Sequence, residues 1–375
     1  MAMVTQAPTR PVASRDRSAG TMRSMEQPLI RYARSPDGVS IAYHEFGEGP
    51  PLVFVAPCPF SHIQRELEIP QVKQWWLELA RTNRIIRYDG RGNGLSDRTA
   101  TDFSLDAQVR DLGTVIDHLA LGRVALLGAS IASPAAIAFA ALHPARVSHL
   151  ILWHAYAEGT DLYRTAFNAT ISLARLDWDL FIQTSAHAVI GWDQGGLARE
   201  YAEVFHAAVD QQALLGNLTL FSSQDVTRHL ARIQAPTLVL ARRGVPVLGA
   251  NVARSLASRI PNARLLILEG ESPMPYLGDG ESVLKAGREF LASDFPSPPH
   301  ATNTGSGAAL TTREAEVLSL LAGGHTGKEI AAALGVSLST AQRHIANIYA
   351  KIGARGRVDA AAYALERGLV RPRDE

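Results

Sequence analysis

Cysteine is all but missing from this chain of 375 residues: Cys58 stands alone, which excludes an internal disulfide and fits a reducing cytosol. Net charge is missing too. Thirty-seven Lys and Arg face thirty-six Asp and Glu for a formal +1, so no global field draws the molecule toward nucleic acid or membrane. Any basic surface has to be local. The opening stretch, MAMVTQAPTRPVASRDRSAGTMRSMEQP (1–28), lacks the apolar core of a signal peptide. Polar, Arg-containing and Pro-bearing, it is expected to be a disordered tail on a cytoplasmic protein, and Met22 and Met25 leave the start open.

Long apolar runs free of charge are missing with one exception, VALLGASIASPAAIAFAAL (124–142), between Arg123 and His143. A membrane helix is the first reading its length suggests. Gly128 and Pro134 interrupt it and no second such segment exists, so the expectation is no membrane partner. Divided in two, it gives a short strand, RVALLG (123–128), and a helix, SPAAIAFAALHP (133–144), stopped by Pro144. Small residues crowd the turn between them, where Ser130 sits, as a sharp strand-to-helix elbow requires.

What surrounds the elbow alternates between the two periodicities. DGVSIAYHEFG (37–47), PPLVFVAPCPF (50–60) and RIIRYDGRGNGLSD (84–97) carry strands, the last followed by a Gly-rich turn. QVKQWWLELART (71–82) and FSLDAQVRDLGTVIDHLAL (103–121) are helical. VSHLILWH (147–154), APTLVLARR (235–243) and ARLLILEG (263–270) are further apolar strands. Alternation of this kind implies a mostly parallel sheet with helices on both faces. The order and the motifs resemble an α/β hydrolase over residues 29–295, with a helical cap at 155–232 that carries Phe167, Trp178, Phe181, Trp192 and Tyr201.

The resemblance implies a catalytic triad, and two of its members are missing. The acid belongs after TLVLARR, where GVPVLGANVA (244–253) has no Asp or Glu. The histidine belongs after LLILEG, where ESPMPYLGDGES (271–282) offers Pro273. A serine hydroxyl without a base stays protonated at neutral pH and is a poor nucleophile. No spacing argument selects a substitute among His154, His187, His206 and Glu158. Where related hydrolases often have His-Gly in the oxyanion loop, this chain has Ala56-Pro57-Cys58-Pro59, and each proline removes a donor. Ser130 is therefore taken as a relic nucleophile, and no cofactor or metal is assigned. The scaffold keeps a cavity, expected to hold a small hydrophobic molecule such as an ester or lactone against Cys58, Ser130, Ile131, His154 and Met274. Plant strigolactone and gibberellin receptors are similar in being hydrolase folds turned to sensing, a likeness of fold alone.

Composition changes abruptly at DFPSPPHATNTGSGAA (294–309), from which a linker is expected over 296–309. Residues 310–375 then carry helical pattern, with possible capping boxes at Thr311/Glu314, Thr326/Glu329 and Ser339/Gln342. Leu310-Thr311, Arg313-Glu314, Glu316-Val317-Leu318, Lys328-Glu329-Ile330-Ala331, Leu334-Gly335, Ser337, Thr340, His344 and Gly353 resemble the LuxR-type helix-turn-helix, a small all-α four-helix domain. That likeness implies DNA binding through a helix beginning at Ser339. Thr340, Gln342 and Arg343 are its candidates for base edges, Lys351, Arg355 and Arg357 its candidates for phosphates, and His344 is a further DNA-binding candidate. Where the family usually has Thr-Val-Lys, this chain has Thr340-Ala341-Gln342. Nine Lys and Arg against seven Asp and Glu over 309–375 leave only +2, so a homodimer on an inverted-repeat operator is expected. Three readings stay open: a ligand-responsive transcription regulator, an active serine hydrolase with a DNA-binding tail, and a sensor whose cap contacts a partner protein.

Overall fold

The computed structural model describes residues 29–162, 167–293, 312–323 and 325–337, and beyond these Thr340, Ala341, His344, Ile345, Ile348, Ala360, Tyr363 and Ala364. The chain divides into two compact units between Pro299 and His300. The expected tail at 1–28 and linker at 296–309 lie outside the described residues.

The first unit is built on one sheet of eight strands: β1 (Arg31–Arg34), β2 (Ser40–Phe46), β3 (Pro51–Phe54), β4 (Arg84–Tyr88), β5 (Val124–Ala129), β6 (Val147–Trp153), β7 (Thr237–Arg242) and β8 (Ala263–Leu268). Their spatial order is β1-β2-β4-β3-β5-β6-β7-β8. β2 pairs antiparallel with β1 and with β4, and every other pair is parallel. Only β1 was not expected. Its four residues RYAR bury one side chain, too short a pattern to stand out from a polar neighbourhood.

Helices α1 (Pro70–Ala80), α2 (Leu105–His118) and α3 (Ser133–Leu142) connect the central strands. The uncharged run is explained by its place. From Ser133 to Ala141 every residue of α3 is buried, so there is no solvent face for a charge to occupy. Gly128 permits the close approach of α3 to β5, since a Cβ there would come within 2.6 Å of the Ala136 methyl. Between β6 and β7 lie the cap helices α4 (Gly159–Leu162), α5 (Phe167–Leu176), α6 (Trp178–Ile190), α7 (Gly195–Ala208), α8 (Gln211–Ser223) and α9 (Thr227–Leu230). After β7 and β8 come α10 (Ala250–Arg259) and α11 (Gly280–Leu291).

The Gly-rich turn after β4 is pinned by buried charge. Arg91 makes a two-pronged pair with Asp111 of α2 at 2.7 and 2.9 Å, both side chains 1 % exposed, and reaches Asp37 at 2.9 Å. Asp89 accepts the backbone N–H groups of Ile63 and Leu95, joining this turn to the loop after β3.

The second unit contains α12 (Thr312–Ala322) and α13 (Gly327–Leu334), packed around Val317, Leu318, Leu321, Ile330, Ala341 and Ile348. The Thr326/Glu329 capping box is formed, and Gly335 ends α13 in the left-handed conformation at φ +64°. Ser337 supplies the first bonds to the segment that follows. The Ser337 hydroxyl accepts the Thr340 N–H at 3.1 Å and the Ser337 carbonyl accepts that of Ala341 at 3.0 Å, the bonds of an N-cap. A serine three residues before Thr340 reaches that donor. The Thr311/Glu314 and Ser339/Gln342 boxes include residues outside the described set. No helix among the described residues is long and apolar enough to cross a membrane.

Candidate functional site

β5 delivers the chain to the elbow, and the elbow is strained. Ser130 has φ +45°, a conformation that non-glycine residues hold only where the surroundings enforce it. The enforcement comes from Ser133, whose hydroxyl donates to the Ser130 carbonyl at 2.6 Å and accepts the Tyr156 N–H at 3.1 Å. The Ser130 side chain opens on a cavity of about 460 Å³. Ile131, His154 and Met274 share its wall, so four of the five residues expected around a ligand come together there.

Cys58 does not, and its expected place is corrected. Its thiol turns away to the Gly-rich turn, where Asn93 donates to Sγ at 2.9 Å and a Cβ on Gly90 would fall 2.3 Å from the sulfur. Burial pushes the thiol pKa far above the ordinary value, so it stays a packed, protonated group. Pro57 and Phe60 of the same loop face the cavity instead. In that loop Pro57 and Pro59 have no N–H. Those of Cys58 and Phe60 are spent on the carbonyls of Ala56 and Pro57 at 2.9 and 2.7 Å.

Among the described residues His154 is the single imidazole on the cavity wall, and its protons are fixed by its neighbours. Its Nε2 accepts the backbone N–H of Arg242 at 3.2 Å, and its Nδ1 lies 2.9 Å from the Leu248 carbonyl. A backbone N–H can only donate and a carbonyl can only accept. Nδ1 therefore carries the hydrogen, and the one lone pair of the ring is already used. Burial lowers the pKa of this histidine, which holds it neutral. Such a ring has nothing with which to take a proton from Ser130. Glu158 lies off the cavity wall and pairs with Arg259 at 3.5 Å. His187 lies against exposed Trp192, and His206 pairs with Asp179 at 3.3 Å.

The places where the α/β-hydrolase resemblance puts an acid and a histidine hold apolar residues and a clamp. Val245, Pro246, Val247 and Leu248 follow β7 and line the cavity where an acid was sought. Arg242, at the end of β7 and 1 % exposed, donates to the carbonyls of Ser272 and Met274 at 2.9 and 3.0 Å and to that of Asp279 at 3.0 Å. It also lies over the Trp153 ring at 5.3 Å, while Trp153 Nε1 donates to the Pro273 carbonyl at 2.6 Å. The loop that would present a histidine is thus tied down through its backbone.

The rest of the wall mixes aliphatic with aromatic side chains, of which the sequence singles out Tyr201 alone as part of the cap. Trp75 and Trp76 of α1, Tyr201 and Phe205 of α7, and Tyr276 all reach it. Glu66 adds a carboxylate, in contact with the guanidinium of buried Arg87, and Tyr201 and Tyr276 join through their hydroxyls. The adjacent tryptophans in KQWWLEL were the available signal. Trp178 and Phe181, by contrast, stack on each other inside the cap at 5.5 Å. Among the described residues no cluster of His, Cys, Asp or Glu could hold a metal ion.

In the second unit Thr340 and His344 are half-buried. Gln342, Arg343, Lys351, Arg355 and Arg357 lie outside the described residues.

Residues 308–364 match the family described as bacterial regulatory proteins, luxR family, and residues 75–169 match the alpha/beta hydrolase fold. The chain is 27% identical over 210 residues to the putative carbamate hydrolase RutD of Caulobacter sp. (strain K31), covering 53% of this chain and 75% of that one. It is 25% identical over 165 residues to the transcriptional regulatory protein MctR of Rhizobium johnstonii, covering 38% of this chain and 77% of that one. Among solved structures, an esterase from Exiguobacterium antarcticum superposes with a TM-score of 0.63 at 22% identity, over 71% of this chain and all of that one.

Proposed function

Because the chain joins an α/β-hydrolase-fold domain to a C-terminal LuxR-family regulatory domain, we propose that it is a ligand-responsive, DNA-binding transcription regulator. The hydrolase-fold domain is its sensor and does not turn over what it binds. The observation that carries this reading is the lock on His154. The elbow, its strain and the cavity are present, while the single imidazole on the wall has both nitrogens engaged by backbone groups. A small, largely apolar molecule fills the cavity, and the 271–279 loop and α11 report its presence. Val283 and Gly287 of α11 line the cavity, and α11 is the last described element before the second unit.

The test is direct. The full chain is expected to release no burst of product from activated esters, and Ser130→Ala is expected to leave the background rate unchanged. Loss of triad groups in working enzymes leaves roughly 10³–10⁴-fold catalysis over water, so background must be measured against buffer alone. An acyl-enzyme seen by mass spectrometry in the wild type and lost in Ser130→Ala overturns the reading in favour of an active hydrolase.

On the DNA side a homodimer places two recognition helices on an inverted repeat about 10 bp apart. Thr340, Gln342 and Arg343 face bases, His344 flanks them, and Lys351, Arg355 and Arg357 hold phosphates. Gln342→Ala is expected to cost about 1–3 kcal/mol on the preferred site and little on random DNA. Lys351→Ala is expected to weaken both alike and to flatten the salt dependence by about one ion. Affinity measured against salt on both DNAs separates the two roles, and equal losses for Gln342→Ala remove its base-reading role.

A further inference from the structure

We propose that the cavity selects uncharged ligands that offer a hydrogen-bond acceptor, and that Glu66 sets this selectivity by holding the Arg87 guanidinium. The inference rests on the reading of the cavity as the sensing site.

The argument is an inventory of charge. Among the residues lining the cavity, two carry formal charge, Glu66 and Glu271, and neither is a cation. Glu271 is exposed at the rim. Glu66 has both oxygens engaged, one by the His62 N–H at 3.1 Å and the other by Arg87, whose side chain is 1 % exposed. A carboxylate entering this space meets two carboxylates and no free cation. Its desolvation goes uncompensated.

An ammonium fares no better, although the wall is rich in rings. Arg87 already lies over Trp76 at 4.8 Å and Phe54 at 6.0 Å, and Arg242 over Trp153 at 5.3 Å. The electron density that would attract a ligand cation is therefore shared with two guanidinium groups behind the rings. The negative charge of Glu66 is likewise balanced by Arg87. What remains for a neutral ligand is a small set of uncharged donors: the Ser130 hydroxyl, Trp75 Nε1, which has no partner among the described residues, and a phenol. Tyr201 and Tyr276 form a hydroxyl pair, in which one phenol donates to the other and the second keeps a proton with no acceptor among the described residues. Burial raises both phenols well above their ordinary pKa, so that proton stays available to a carbonyl.

An acid and its ester differ in this one respect, so the cavity separates an intact ester from its hydrolysis product. The probes are a homologous series of ω-phenylalkanoic acids, their methyl esters and the matching ω-phenylalkylamines, titrated into the full chain at neutral pH. Esters are expected to bind at least about tenfold more tightly than acids of equal length, with mass spectrometry showing them intact. In Glu66→Gln the released guanidinium is expected to lift the acids by about tenfold and leave the esters nearly unchanged. Should Glu66→Gln fail to fold, Tyr276→Phe serves, with esters losing affinity severalfold and acids gaining none. Acids or amines that match the esters in the wild type overturn the proposal, as does a folded Glu66→Gln without gain for acids. A folded wild type that binds no member of any series removes the sensing-site reading beneath it.

Discussion

Replacing Arg242 by methionine is expected to destabilise the hydrolase-fold domain by about 3 kcal/mol and to remove most of the stabilisation that a bound ester confers. The guanidinium supplies donors to three carbonyls of the 271–279 loop at 2.9–3.0 Å. Leaving a buried acceptor unpaired costs about 1–3 kcal/mol, and the half-exposed positions at 272 and 274 place these carbonyls at the lower end. Methionine keeps much of the apolar volume against Trp153, so the loss isolates the donors. No carboxylate among the described residues forms a direct ion pair with Arg242, and the nearby Asp279 carboxylate is exposed and hydrogen-bonded to Ser282, so its removal strands no buried counter-charge.

The functional half of the expectation follows from what the loop carries. Pro273, Met274 and Tyr276 line the cavity, and a loop freed from its clamp no longer holds them in one arrangement. Urea unfolding measures the stability, and thermal stabilisation by the most tightly bound phenylalkanoate methyl ester measures the response. A buried charge exchanged for an apolar residue is sometimes neutral or stabilising, because its desolvation offsets its bonds. A methionine variant as stable as the wild type would show that balance here and would strip Arg242 of its clamping role.

Arg242 also marks where sequence reasoning runs out. The alternation of apolar strands and helices was legible because a sheet buried on both faces forces near-continuous apolar runs. The observed β2 to β8 fall within the stretches read for them, except that β5 runs one residue further, to Ala129. The missing acid and histidine were legible too, since an absence over ten residues needs no coordinates. The use made of the vacated positions was not. An arginine pair at the end of TLVLARR looks like a solvated strand end, yet Arg242 is fully buried while Arg243 pairs with Glu269 at the surface. Only the crossing of β7 with the loop after β8 distinguishes them. The wall of the cavity is assembled from α1, α7 and the 271–279 loop, segments spread over about two hundred residues, and no local period connects them. Cys58 failed for a different reason. The Ala56–Pro59 loop follows a strand whose residues alternate in direction, and one residue decides whether a side chain meets the cavity or the Gly-rich turn.

Filling the cavity should then abolish sensing without unfolding the sensor. Ala129 is the place to do it. It lines the cavity beside Ser130, but its backbone is extended at φ −115° and ψ 132°, which any residue adopts, whereas Ser130 at φ +45° already bears strain that a bulky side chain would compound. Ala129→Trp directs an indole into a space of about 460 Å³ where an ester would otherwise lie. For the wild type, a ligand at one hundred times its dissociation constant stabilises the native state by about 2.7 kcal/mol. In Ala129→Trp that increment is expected to vanish. The unliganded variant should keep a melting temperature near that of the wild type, because the indole enters empty apolar space and displaces no packed neighbour. Binding of the unliganded chain to its DNA site should be unchanged. A full ligand shift in a well-folded Ala129→Trp would place the ligand somewhere other than the elbow cavity. A lost shift accompanied by lost DNA binding would show that the substitution disturbs more than the space it fills.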